Sequence, residues 1–190
     1  PVLDVARDPR WGRIEETLGE DPYLAASMGV ATVKGFQGEG TTPDGQHVIT
    51  TLKHLAGHGE PSGGLNIAPA MIGERLLREV FLFPFEAVIK TAHPGSVMAS
   101  YNEIDGVPSH ANQKLLQTIL RKEWGFNGIV VSDYYAIPEL ASRHHLAADP
   151  YGAAIQAFAA GVAIETPVGT TYALLKRAVE EGKITQASLD

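Results

Sequence analysis

The chain has 190 residues, no cysteine, and 15 Lys+Arg against 22 Asp+Glu, a formal net charge of −7. That length holds one domain or a large piece of one, and zero cysteine excludes disulfides and thiolate metal sites. The acidic balance disfavours a nucleic-acid binder, which needs a basic stripe, and the longest uncharged stretch, Pro150 to Ile164, is shorter than the roughly 20 apolar residues that span a bilayer.

Elements alternate along the chain. Val2–Ala6 reads as a strand, and Asp21-Pro22 then caps and starts a helix towards Gly35, with proline at the first helical position. Val48–Leu55 is a second strand. Met71 to Ala92 follows as a long helical pattern, broken near Pro84 because proline has no N–H to donate. Ser96–Tyr101 is a third strand, Gln113–Trp124 a helix closing at Gly125, and Gly128–Ser132 a fourth strand. Asp149-Pro150 opens another helix, Gly161–Glu165 is a fifth strand, and Thr170 to Glu181 a helix closed by Gly182. The strands are apolar with little alternation, the pattern of parallel strands covered on both faces.

Strand–helix–strand repetition implies a parallel α/β sheet, either open and doubly wound or a (β/α)₈ barrel. The strand ends fall near Ala6, His54, Tyr101, Asp133 and Glu165, giving gaps of 48, 47, 32 and 32. A barrel needs roughly 31 residues per unit, so the last two gaps fit, and 37–46 and 57–69 read as inserted loops. No glycine-rich phosphate fingerprint follows a strand, which weakens a dinucleotide-binding fold. The expected fold is a TIM-type barrel, incomplete, with about five of eight strand–helix units over residues 1–190. The chain opens on Pro1 in a strand and ends on a cap with no helix after it, so both ends read as cut, and a removed upstream segment is expected.

In a parallel barrel the loops at the carboxyl ends of the strands build the active site. The polar residues there are Arg13, Lys53, His54, Tyr101, Asp133 and Glu165. Asp133, directly after an apolar strand, suits a nucleophile, general base or metal ligand; the alternative is a cap for the next helix. Lys53 and His54 are neighbours in a strand and would point to opposite faces. Both can serve one ligand only if the backbone bulges or carries a strained or cis peptide there. His54 and His58 form an H-x₃-H pair, a metal-ligand spacing only on a helix, and their glycine-rich surroundings speak against one. His144-His145 reads as a helix end, and Glu165 as a pocket carboxylate or a structural one.

The residues also carry a resemblance. Pro-x-Leu-Asp-Val-Ala-Arg-Asp-Pro-Arg-Trp-Gly-Arg-x-x-Glu from Pro1, Gly19-Glu-Asp-Pro22, Lys53-His54, Gly73-Glu-Arg-x-Leu-Arg-Glu79, Met98-Ala-Ser-Tyr-Asn102 with Gly106, and Trp124-Gly-Phe-x-Gly-Ile-Val-Val-Ser-Asp133 run in order over nearly the whole chain. The pattern closely resembles the amino-terminal barrel of family 3 glycoside hydrolases.

The resemblance implies Asp133 as the nucleophile of a retaining mechanism through a covalent glycosyl-enzyme. It implies Arg13, Lys53, His54 and Tyr101 as ligands of the cleaved sugar, Met98 as a lining residue, and Tyr134 where the family often has tryptophan. No cofactor and no metal is implied, and the substrate is an oligosaccharide or β-glycoside. The general acid/base is not identifiable here; many family members take it from a second domain, expected as a missing C-terminal α/β domain. Ala163 stands where the family usually has aspartate. Lys53-His-Leu-Ala-Gly-His-Gly59 echoes the N-acetylglucosaminidase loop without its Asp-Ser-His, which favours a β-glucosidase, with β-xylosidase next. From other classes come a metal-dependent hydrolase on Lys53, His54, His58 and Asp133, and an inactive carbohydrate-binding fragment. A periplasmic or extracellular parent, neither membrane-bound nor nucleic-acid-binding, is expected.

Overall fold

The computed structural model describes residues 1–39 and 44–189. The predicted loop 37–46 lies partly outside them. The sheet comprises β1 (Thr51–Leu55), β2 (Ser96–Ala99) and β5 (Ile129–Val131), parallel and in that order, with a small antiparallel hairpin of β3 (Glu103–Ile104) and β4 (Val107–Pro108). Single parallel bridges extend it at both sides, Val2 to Lys53 and Ile164 to Val131. Five parallel segments therefore stand side by side in chain order, each within one predicted strand. No closed barrel is seen among the described residues.

The helices follow local chemistry. In α1 (Pro22–Gln37) the Asp21 carboxylate accepts from the amides of Tyr23 and Leu24 at 2.8 and 3.3 Å, and Pro22 fills the first turn. The second helical stretch starts at Glu74 in α2 (Glu74–Leu76) and runs through a π-helical turn, Leu77–Phe81. It resumes as α3 (Phe83–Ala92), so Pro84 sits in a first turn, where a missing N–H costs nothing. Lys114–Glu123 is also π-helical and ends at Trp124 and Gly125. Then come α4 (Ala136–Ser142), α5 (Pro150–Ala160), capped by Asp149 through the Gly152 amide, and α6 (Leu175–Glu180).

The core corrects one expectation. Leu52, Val97, Ala99, Val130 and Val162 point to the helices and are fully buried against residues such as Val33, Phe85, Val88 and Leu116. Apolar residues at alternate positions are not: Ile129 and Ile164 are 42% and 44% exposed, and Met98 and Val131 are half-buried. The strands are thus covered on one face only, because an open row of five segments encloses no interior. Their uniformly apolar composition reflects a second face that these residues alone do not bury.

The 57–69 loop folds back over the first segment. Gly59 lies so close to Val5 that a Cβ would sit 2.3 Å from its carbonyl oxygen, and the Gly59 carbonyl accepts from Arg7 and Asp8. Gly64, at φ 75°, packs on Arg10 with equally little room. Trp11 Nε1 donates to Asn66 Oδ1 at 3.0 Å. These close backbone contacts carry His58 over the ends of the first two strands.

Candidate active site

The carboxyl ends of the parallel segments bring Arg13, His54, His58, Tyr101 and Asp133 together. Between Leu52 and Leu55 the pairing of β1 with β2 shifts register, and the Lys53–His54 peptide is cis, as is Leu55–Ala56. That register shift is the irregularity required for Lys53 and His54 to serve one site. His54 is buried, and its backbone amide and Nδ1 both meet Asp4 Oδ2, at 3.2 and 2.7 Å. Lys53 is half-buried, and its charge helps to lower the Glu16 pKa.

Arg13 organises the imidazoles. Its Nε and one terminal nitrogen form a bidentate pair with Glu16 at 2.8 Å each. The guanidinium also meets His58 Nε2 at 2.9 Å and His54 Nε2 at 3.2 Å. A guanidinium can only donate, so both Nε2 atoms accept, and the His54 ring proton sits on Nδ1, donated to Asp4. The bonds to Glu16, aided by the nearby Asp133 and Asp4 charges, raise the Arg13 pKa, and the same Arg13 bonds hold Glu16 below the usual carboxylate range. The H-x₃-H pair thus converges on a cationic side chain rather than on a space for a metal ion. Among the described residues no group of three His, Asp or Glu is arranged to hold one.

Asp133 is 8% exposed. Its Oδ1 accepts from the Tyr134 amide at 2.7 Å, and its own amide donates to His110 Nε2 at 3.1 Å. Oδ2 is buried with no hydrogen-bond partner and stands 3.6 Å from His54 Nε2. Asp133 does not cap α4 with its side chain: the N-cap position is Tyr135, at φ 60°, without a side-chain cap. The Tyr101 hydroxyl donates to the Tyr134 carbonyl at 2.8 Å, and burial with the nearby Asp133 charge raises its pKa. Tyr134 is 56% exposed beside it. Met98 lies on the uncovered face of β2, paired with Val131 two residues before Asp133.

Two other sequence candidates are structural. The Glu165 carboxylate accepts from the amides of Thr171 and Tyr172 at 3.2 and 2.7 Å, opening the last helical stretch. His144 follows α4, as expected, and pairs with Glu103 at 2.7 Å. Three residues at the site had not been assigned a site role from the sequence pattern, Asp4, Glu16 and His110, and His58 had been weighed only as a metal ligand. Asp4 left one trace there, a carboxylate inside the apolar run Val2–Ala6, since a buried charge must be paired.

Burial, against the opposing Asp4 charge and with the Arg13 guanidinium alongside, pushes His58 down to about 4, and burial pushes His110 down to about 3. Both stay neutral in the folded protein, whereas an unfolded histidine titrates near 6.5. Between those values the unfolded chain binds more protons, so stability falls as pH drops from about 6.5 towards 4. Lowering pH from 7 to 5 is expected to cost about 2 kcal/mol for each histidine. Urea unfolding at both pH values checks this, and His58→Gln is expected to remove about half of the loss.

Residues 1–190 match the glycosyl hydrolase family 3 N terminal domain. The chain is 46% identical over 176 residues to a β-xylosidase of Formosa agariphila, covering 92% of this chain and 24% of that protein. It is 40% identical over 190 residues to the periplasmic β-glucosidase of Salmonella typhimurium, covering all of this chain and 24% of that one. Among solved structures, a β-glucosidase of Erythrobacter marinus superposes with a TM-score of 0.96 at 41% identity, over 100% of this chain and 25% of that chain. The chain therefore belongs to glycoside hydrolase family 3, within its N-terminal domain. It spans about a quarter of the length of the curated relatives it matches.

Proposed function

We propose that the full-length protein is an exo-acting, retaining β-glucosidase and that Asp133 is its nucleophile. The carrying observation is Asp133 Oδ2, buried, unpartnered and 3.6 Å from His54 Nε2, in a chain of this family. Attack of Oδ2 on the anomeric carbon forms a glycosyl ester while the leaving group departs with the bonding pair. Water then cleaves the ester, and two inversions leave the configuration retained. Arg13, Lys53, His54 and Tyr101 hold the sugar hydroxyls, the cationic ones through charge-assisted bonds. Met98 lines the pocket floor, and exposed Tyr134 faces the leaving group. The proton for the leaving group comes from an acid/base outside residues 1–190. The domain closes as a (β/α)₈ barrel, which also covers the bare face of the sheet. A periplasmic or extracellular site suits this activity and the Salmonella relative.

A β-xylosidase is the second reading, favoured by the Formosa relative at 46% identity. The test is hydrolysis of aryl β-glucoside and aryl β-xyloside by the full-length protein, with proton NMR of the first sugar released. The β-anomer is expected, with the higher kcat/KM for glucoside. A faster xyloside selects the second reading, the α-anomer removes double displacement, and no hydrolysis of either removes the activity.

A further inference from the structure

We propose that His110 is a positioning residue for the nucleophile, bracing the loop of Asp133 against the end of β2. His110 lies in a single 3-10 turn, Ser109–Ala111, just after the β3–β4 hairpin. That turn is anchored by Ser109, whose amide and hydroxyl both donate to the Asn102 carbonyl, at 3.2 and 2.9 Å. The ring is 2% exposed. Its Nε2 accepts the Asp133 amide at 3.1 Å, and on its other side the ring hydrogen-bonds the Ser100 backbone. One imidazole therefore ties the residue before Tyr101 to Asp133 itself. The two ends are also joined by the Tyr101 hydroxyl on the Tyr134 carbonyl, at 2.8 Å.

A buried amide needs an acceptor, and two features go beyond that need. First, the acceptor is a side chain from a different strand unit, so the position of Asp133 depends on the hairpin that follows β2. Second, the amide belongs to the residue whose unpartnered carboxylate oxygen stands 3.6 Å from His54 Nε2, and in a reacting group a misplacement of about 1 Å can cost about 100-fold in rate. The charged or titratable groups around the ring are His144, itself paired with Glu103 at 2.7 Å, and Asp133. Only the neutral ring with Nε2 unprotonated can accept the amide, and burial keeps it so. His110 does not touch the sugar in this reading and acts through Asp133 alone.

The inference rests on Asp133 being the nucleophile, and a trapping experiment separates the two. The full-length protein is treated with a dinitrophenyl 2-deoxy-2-fluoro-β-glucoside, and the rate of covalent labelling is followed by intact mass. In the trapping step the carboxylate oxygen bonds to C1 while the C1–oxygen bond to dinitrophenolate breaks; this leaving group needs no proton. His110→Leu removes the acceptor, while His110→Gln places a carbonyl near the position of Nε2. Expected are a labelling rate lowered tenfold or more in the leucine variant, at least half of that loss on a logarithmic scale recovered in the glutamine variant, and reagent affinity within threefold throughout. Should the leucine variant not fold, His110→Asn, polar but too short to reach the amide, takes its place with the same expected loss. A loss below tenfold, or equal losses in the acceptor-free and glutamine variants, overturns the brace. Absence of labelling in the wild-type protein instead overturns the nucleophile assignment.

Discussion

Asp133→Ala in the full-length protein is expected to lower kcat for an aryl β-glucoside by about 10⁴-fold or more, about 5.5 kcal/mol of barrier. The size follows from the surroundings of the carboxylate. Oδ1 is engaged by the Tyr134 amide, so Oδ2 is the oxygen available for attack. Asp4, the carboxylate bonded to His54, meets Nδ1, whereas Asp133 stands unbonded on the Nε2 side. Asp4 cannot stand in when Asp133 is removed, and Glu16 is held in its bidentate pair with Arg13. Steady-state kinetics checks the loss, with KM reported separately. A fall of less than tenfold contradicts the assignment.

The second large effect belongs to Asp4. It is 2% exposed, holds the His54 ring through Nδ1, and accepts the His54 backbone amide. Asp4→Ala leaves a buried ring N–H and a buried amide unpaired and frees the ring to turn. The ring would then leave both the Arg13 guanidinium and the Asp133 carboxylate. Hydrogen bonds to charged groups are worth about 1.5–3 kcal/mol, so kcat/KM is expected to fall about 100-fold. Asp4→Asn, which keeps one acceptor oxygen, is expected to lose about tenfold. Equal activity of the alanine variant and the wild-type protein would show that the Asp4–His54 pair does not orient the site.

The sequence was most informative where structure is decided locally. Asp21-Pro22 and Asp149-Pro150 each specify a cap and a first turn within four residues, and both helices start there. Apolar runs located all five parallel segments, although β5 keeps only three paired residues and Ile164 a single bridge. The assumption that both sheet faces were covered failed because strand composition records what a face is suited to pack against. It does not record whether the partner lies within these residues.

The site was half legible for a similar reason. Asp133, His54, Arg13 and Tyr101 each occur at a strand end or in a recognisable motif. Their supports act across long separations: Asp4 reaches His54 from 50 residues away, and His110 reaches Asp133 from 23. His110 sits in an ordinary Pro-Ser-His-Ala turn, with no periodicity or spacing to mark it. Glu165 shows the converse error. A carboxylate at a strand end resembled Asp133 in sequence, yet the amides of Thr171 and Tyr172 claim it.

The most direct measurement is the site of covalent labelling. The full-length protein is incubated with the activated fluoro-glucoside, digested, and mapped by tandem mass spectrometry. The expected result is one glycosyl adduct per chain, on Asp133 and lost in Asp133→Ala. An adduct on another residue, or none from a protein that still turns over the aryl glucoside, would contradict the assignment of Asp133 as nucleophile.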